Sequence, residues 1–338
     1  MPNCNEEVFL TIGIPTYNRQ ESVTQLLDLL ATIKPIVACE VLVINNASVI
    51  DLSKQLSELS VAGYQVQYIE NKKNCGGQEN CLRIYENALG RFIWYLGDDD
   101  RIYTSSLSRV IDILLEHQPD CLLLNADTVG EEVPNHPSGF LTANQVYAGQ
   151  FMLGRLICAP LYVLKREKIT DGLSLARLHL GCFAPIFLLL LLGRIQSYFY
   201  LNEPIVHNKD VPVARNQKLS ILPIFMGIGQ LTQVPTDNSK RKWVRRLLKR
   251  EWRVLNNPLH VLGTLAIDGI NGGKLAYWPV VLAGWRNYPI LLATIFSFAL
   301  CVLRIFPKSW LAPLILWYAN TIKKKNIDIS DFRSMDRI

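Results

Sequence analysis

Three consecutive carboxylates, Asp98, Asp99 and Asp100, follow directly on the aromatic and aliphatic run FIWYL at residues 92–96. Adjacent carboxylates repel one another, and an apolar strand delivers them to the edge of a core. The arrangement is costly unless a cation or a bonded partner compensates. A divalent metal ion would do so. Aspartate is also a common turn former, so a solvated acidic turn is the bland alternative for the same residues.

Three more polar clusters stand at equivalent places earlier in the chain. They are PTYNR at 15–19, NNAS at 45–48 and NKKNCGGQEN at 71–80, and each closes a short β-rich run: VFLTIGIP (8–15), CEVLVINN (39–46) and YQVQYIEN (64–71). Between them the spacing predicts helices over 19–33, 49–62 and 76–89, with a further helix over 105–117 and a strand at CLLLNAD, 121–127. Strands alternating with helices imply a parallel sheet with right-handed crossovers. Ligands in such sheets sit beyond the carboxyl ends of the strands. Four neighbouring strand ends furnished with Asn, Gly, Asp and Arg therefore read together as one site.

The ordered set IPTYNR, VINNAS, NCGGQEN and FIWYLGDDD resembles the donor half of a family 2 glycosyltransferase of GT-A fold, over about residues 8 to 130. Its order and spacing are similar to the abequosyltransferase-like branch of bacterial surface-polysaccharide enzymes. The resemblance implies a Rossmann-like, mostly parallel sheet flanked by helices. It also implies transfer of a sugar from a nucleotide-sugar donor, with a divalent ion neutralising the departing diphosphate. Hard oxygen ligands favour Mg²⁺ or Mn²⁺. By similarity Asp98 approaches the ribose or the metal, and Asp99 and Asp100 are direct ligands. The commoner family pattern is L-D-x-D-D, and here Gly97 replaces its first aspartate. Pro15, Thr16, Tyr17 and Arg19 would line the nucleotide pocket, Tyr17 as a stacking face and Arg19 as charge for phosphate. Asn46, Asn74, Gly76, Gly77 and Asn80 extend the same donor set. Asn45 replaces the aspartate that commonly reads the base edge, and an amide both donates and accepts, so uridine, thymidine, guanosine and cytidine donors all stay open.

Inverting members usually present an acidic pair after the sheet as the base that deprotonates the acceptor hydroxyl. The corresponding stretch, LARLHLGCFAPIFLLLLLG at 175–193, contains no acid, and His179 and Asp171 are the nearest substitutes. A late strand, YFYLNEPIVHNKD at 198–210, carries His207, which by position would complete the metal site or touch the diphosphate. Arg215 follows as a further donor contact.

At 338 residues, 49% hydrophobic and 19% charged, the chain is a folded protein rather than a disordered one. Its eight cysteines form no CxxC pair and read as reduced core residues, and no secretory signal is apparent. Charge is lopsided: residues 1–150 hold 9 Lys and Arg against 19 Asp and Glu, and residues 151–338 hold 26 against 10, nets of −10 and +16. The run SKRKWVRRLLKREWR at 239–253 carries eight basic residues and one acid with Trp and Leu interleaved. It reads as a cationic amphipathic surface for a membrane. Nucleic acid is the rival partner, and the apolar stretches that follow, 287–303 and 305–322, argue against it. The expected organisation is a catalytic domain over 1–215 and a helical, basic and apolar region over 216–338. The protein would sit on the cytoplasmic leaflet, at the inner face of the plasma membrane, and act on a lipid-linked saccharide acceptor in O-antigen, capsule or exopolysaccharide synthesis. The alternative is a non-catalytic nucleotide-sugar-binding or scaffold protein. A nucleotidyltransferase would want a glycine-rich basic loop after the first strand, which PTYNRQES is not.

The charge and apolar patterns act together on a membrane. Each basic residue near an anionic leaflet contributes about 1 kcal/mol, and salt screens that part alone. The full-length protein should co-sediment with anionic vesicles in moderate salt, and deletion of 287–338 should weaken this. A protein that stays in the supernatant and is monodisperse without detergent would show those runs to be internal core.

Overall fold

The computed structural model describes residues 7–126, 136–146, 158–180 and 185–207, and near the start of the basic run residues 234, 236–238, 240–242 and 244. The chain divides into two units, residues 1–215 with 235–243 and residues 216–234 with 244–338; the fold below is that of the first.

The early elements follow the sequence pattern closely. Strands β1 (Leu10–Thr16), β2 (Cys39–Asn45), β3 (Gln65–Glu70) and β4 (Phe92–Tyr95) alternate with helices α1 (Gln20–Ala31), α2 (Ser53–Ala62) and α3 (Gly77–Asn87). All four strands are parallel, in the spatial order β3-β2-β1-β4. The chain thus winds outward from β1 to β3 and then returns past β1 to place β4 on its other side. Right-handed crossovers put α1 and α2 on one face and α3 on the other. Helix α2 starts later than the spacing predicts, at Ser53, because residues 45–51 are drawn into a loop whose last member, Asp51, accepts from the Ser53 amide at 3.0 Å.

Beyond β4 the sheet departs from a simple parallel series. Strand β6 (Cys121–Ala126), preceded by the short β5 (Arg101–Ile102) and helix α4 (Ser106–His117), does not lie beside β4. Strand β8 (Tyr162–Lys165) separates them, antiparallel to both, so β6 still runs in the direction of β4. Strand β9 (Tyr198–His207) is parallel to β6, and β5 and β7 (Gly139–Leu141) pair antiparallel with β9. Helices α5 (Arg166–Leu178) and α6 (Pro185–Leu192) lie between β8 and β9 in sequence. They pack on one another, and α5 packs on α3. Helix α6, PIFLLLLL, is apolar all round and is buried from Pro185 to Leu191, as such a helix must be. The carboxyl ends of β1, β2, β3 and β4 share one edge of the sheet.

Close approach sets where glycine is needed. A Cβ on Gly13 of β1 would meet Ile84 Cγ2 of α3 at 2.1 Å, so this glycine lets α3 close on the sheet. At the opposite edge the buried Glu40 carboxylate accepts from Thr11 Oγ1 at 2.6 Å and from the Leu89 amide at 3.0 Å, and Thr11 Oγ1 accepts from the Gly90 amide at 2.8 Å. The indole of Trp94 donates to the Pro160 carbonyl at 2.9 Å and ties β4 to the turn that leads into β8.

Among the described residues no helix is long and apolar enough to cross a membrane. The basic run beyond residue 244 and both apolar stretches lie outside the described residues. The five described cysteines, Cys39, Cys75, Cys81, Cys121 and Cys158, are free thiols.

A Cβ on Gly90 would meet backbone atoms, Thr11 N at 2.4 Å and Phe92 O at 2.7 Å, which cannot swing aside as a side chain can. Gly90→Ala should therefore destabilise the domain by about 1–3 kcal/mol, the range for an overpacked site. A shift in denaturant midpoint checks this, and an unchanged midpoint would show that the α3–β4 connection yields freely.

Candidate functional site

The order β3-β2-β1-β4 creates a topological switch point between β1 and β4, where ligands of open α/β sheets bind. The Leu96 amide continues the β1–β4 ladder by donating to the Gly13 carbonyl at 2.9 Å, so residues 97–100 emerge directly opposite the end of β1. There Thr16 Oγ1 donates to Asp98 Oδ2 at 2.8 Å, and Arg19 Nη1 donates to Asp98 Oδ1, also at 2.8 Å. The same Nη1 lies 2.8 Å from Asp99 Oδ2. The side chain of Asp98 is 6% exposed and that of Asp99 44%. Burial pushes the Asp98 carboxyl up from its ordinary range, against the Arg19 charge and the Thr16 hydroxyl, which pull it down.

Asp100 faces the other way. Residues 97–100 form a tight turn in which the Asp100 amide donates to the Gly97 carbonyl at 3.0 Å, and Asp100 Oδ2 folds back to accept from the Gly97 amide at 2.5 Å. A Cβ at position 97 would lie 2.8 Å from Asp100 Oδ2 and 3.1 Å from Asp99 Oδ1. Any side chain there would push the Asp100 carboxylate off its amide, which is the physical reason for Gly97 in this turn. Burial, and next the charge of Asp99, push the Asp100 carboxyl up to about 7, while the Gly97 amide holds it down.

Beside this cluster the second and third strand ends are knitted by side-chain amides. Asn45 donates to the Ser48 carbonyl at 2.8 Å and to the Tyr68 hydroxyl at 2.9 Å, and its Oδ1 accepts from the Ser48 amide at 2.9 Å. Both functions of the Asn45 amide thus bond the chain and brace the loop after β2. Asn46 donates to Asn74 Oδ1 at 2.8 Å and accepts from Asn71 Nδ2 at 3.0 Å and from the Cys75 amide at 2.9 Å. Asn71 also donates to Asn80 Oδ1, and Asn80 donates to the Ile44 carbonyl. Asn74 Oδ1 accepts from the Gly76 amide, which sets Gly76 at a φ of 87° to open α3 at Gly77. Of this network, Ser48 and Asn71 lie within the polar clusters at 45–48 and 71–80, and Tyr68 is the member with no signal in the sequence. Ser48 and Asn71 follow the ends of β2 and β3, and Tyr68 sits within β3 itself. Of the expected lining, Pro15 and Thr16 end β1, and Tyr17 stands 43% exposed just beyond it, free to offer a ring face.

The two substitutes for an acidic base fall in different places. His179 is the residue after α5, half-buried rather than on an apolar helix face. Two residues before it, Arg177 on the last turn of α5 pairs with Glu79 on the first turn of α3 and with Glu86 on its last, each at 2.7 Å. Asp171 is eight residues earlier, about 12 Å down the helix at 1.5 Å per residue. It is exposed and paired with Arg194, so the structure does not bring it to the site. The main chain of His207 pairs with Arg101 across the β5–β9 ladder, one residue past the acidic turn. Arg215 lies outside the described residues.

Among the described residues no three His, Cys, Asp or Glu side chains form a group able to hold a metal ion. Asp98 Oδ1 and Asp99 Oδ2 nevertheless converge on one cationic nitrogen at 2.8 Å each. Two carboxylate oxygens so placed are hard donors of the kind a divalent ion takes. Asp100, turned onto Gly97, is not part of the pair.

Residues 11–153 match the model of the family described as "Glycosyl transferase family 2". No curated protein matches the sequence. Among solved structures the chain is similar to S. aureus TarS 1-349, with a TM-score of 0.57 and 17% identity over 98% of this chain and 90% of that one. It is similar also to the S. aureus TarS 1-349 complex with UDP-GlcNAc, with a TM-score of 0.57 and 16% identity over 98% and 91% of the two chains. This likeness is one of fold, and the fold is GT-A.

The raised Asp100 pKa has a pH signature. A carboxyl raised in the folded state contributes stability that is full below its ordinary value near 3.8 and is lost as pH rises through about 7. In chelator, Asp100→Asn should therefore melt higher than wild type above pH 7, and the difference should close toward pH 4. A difference that does not change with pH would show that Asp100 ionises without penalty.

Proposed function

We propose that the chain is a family 2 glycosyltransferase that moves a sugar from a nucleoside-diphosphate donor to a saccharide acceptor. The observation that carries the reading is the bonded cluster of Thr16, Arg19, Asp98 and Asp99 at the crossing of β1 and β4, inside the segment that matches the family model. The fold-level likeness to a protein solved with UDP-GlcNAc supports a nucleotide-sugar donor. The proposal extends to a catalytic domain over 1–215 and a membrane-associating region over 216–338. It extends also to a lipid-linked acceptor at the cytoplasmic leaflet, in the manner of the abequosyltransferase-like branch.

Each residue has a role in this reading. The nucleoside lies over Pro15 and Tyr17, along loops that the Asn45, Asn46 and Asn71 amides hold rigid. The diphosphate meets Arg19 and the Asp98–Asp99 pair, which would hold a divalent ion. That ion, when bound, supplies charge stabilisation to the leaving diphosphate. Asp99 presents its carboxylate outward, and Asp98 is fixed from beneath by Thr16. His179, the residue after α5, is the group that takes the acceptor hydroxyl proton. The raised Asp100 carboxyl keeps the third negative charge of the turn partly neutral near pH 7.

A panel of UDP-, GDP-, dTDP- and CDP-sugars with Mn²⁺, scored by thermal shift and by donor hydrolysis, tests the proposal. One donor should bind and be hydrolysed. Asp99→Asn should cut hydrolysis by about 10²–10³, the scale of one lost electrostatic stabiliser, with the melting temperature kept. His179→Ala should spare donor binding and abolish transfer to acceptor. Donor binding without hydrolysis or transfer under any condition would favour the non-catalytic binding protein, and full turnover in chelator would remove the metal.

A further inference from the structure

The guanidinium of Arg19 occupies the position between Asp98 and Asp99 that a bridging cation would need. One nitrogen, Nη1, is 2.8 Å from Asp98 Oδ1 and 2.8 Å from Asp99 Oδ2. A cation cannot take those two oxygens while Nη1 holds them, since two positive centres cannot share so short a bridge. The arginine is firmly aimed. It precedes α1, its carbonyl accepts from the Val23 amide at 3.1 Å, and its neighbour Asn18, at a φ of 53°, donates its amide to Ser48 Oγ at 2.8 Å. Its side chain is 28% exposed, so the guanidinium keeps contact with solvent. The other charged groups of the turn are engaged elsewhere: Arg101 donates to Gln25 Oε1 at 2.6 Å and to the Asp100 carbonyl, and Asp100 is folded onto Gly97.

We infer that Arg19 is the resident counter-cation of the Asp98–Asp99 pair, which a divalent ion must displace, so that metal and donor diphosphate bind strongly only together. The inference rests on the proposed nucleoside-diphosphate donor. Displaced from the carboxylates, the guanidinium needs another anion, and a diphosphate beside the metal provides one in a geometry that its planar fork suits. Metal affinity then rises with diphosphate and diphosphate affinity rises with metal by the same factor, as linkage requires. Arg19 acts on the metal through the two carboxylates it occupies and on the diphosphate directly. Its effect on metal binding has the sign opposite to that of a merely structural residue, because its removal strengthens binding.

The test uses the full-length protein and Mn²⁺ alone, titrated by electron paramagnetic resonance of the free ion. Arg19→Gln should bind Mn²⁺ about tenfold more tightly than wild type, the scale of one partly exposed ion pair at two carboxylates. Arg19→Lys, which keeps the charge, should stay near wild type, and Arg19→Met repeats the measurement should Arg19→Gln fail to fold. Titrations of UDP, GDP, dTDP and CDP with and without Mn²⁺ report the other half. Wild type should show metal-dependent tightening for at least one nucleotide, and the tightening should shrink in Arg19→Gln. If a nucleotide binds but Arg19→Gln holds Mn²⁺ no better than wild type, the counter-cation inference falls and the donor reading stands. If none of the four binds with Mn²⁺ present, both fall.

Discussion

The buried carboxylate of Asp98 is the constraint on which the site depends. A charge taken so far out of water requires bonded partners, and it finds them in Thr16 and Arg19 at the end of the neighbouring strand. Those bonds join residues 79 and 82 positions apart in sequence. They fix the first βα loop against the acidic turn, so the switch point of the sheet has defined walls. Asp99 then projects outward from the same turn, and Gly97 leaves the room in which Asp100 turns inward. Three identical neighbours are sorted into three environments: buried and bonded, presented to solvent, and folded onto its own backbone.

The second and third loops are held by a different means. Asn46, Asn71, Asn74 and Asn80 exchange hydrogen bonds among themselves and with backbone groups at the ends of β2 and β3. Neutral amides serve here because each both donates and accepts, so a dense network can form with no net charge beside a site that already concentrates carboxylates. The glycines at 76 and 77 owe their part to this network. The Asn74 carbonyl oxygen holds the Gly76 amide in a left-handed conformation, and α3 begins there.

The second half of the described fold brings residues to the same edge by longer routes. Strand β8 runs against β4, so α5 starts at the amino edge, where the Arg166 amide donates to the Arg91 carbonyl, and climbs back to the carboxyl edge. The Arg177 pairs with Glu79 and Glu86 fasten its end to α3. These partners are 45% and 27% exposed, so the pairs contribute little to stability, and their consequence is to seat the last turn of α5 along α3. The antiparallel β5–β9 pairing returns the chain to Arg101, one residue past the acidic turn.

What the sequence by itself determined is the first βαβ series and the edge that carries the site. Hydrophobic runs of strand length, helical spacing between them and polar residues at each strand end are local properties, and local properties are legible without a partner. The antiparallel β8 between β4 and β6 was not legible, because YVLK is a short apolar run whose direction and neighbours are set only by what it packs against. Tertiary structure alone decided which chemical residue does what. Asp98, Asp99 and Asp100 are the same in sequence and differ only in their contacts. Asn45 has the composition of a base reader and the bonds of a loop brace. Asp171 and His179 lie on one segment, yet α5 carries Asp171 to a pair with Arg194 and leaves His179 half-buried just past its last turn. A side chain's chemistry is written in its residue type, but its charge state and its reach depend on groups far away in sequence, and those are known only once the chain has closed on itself.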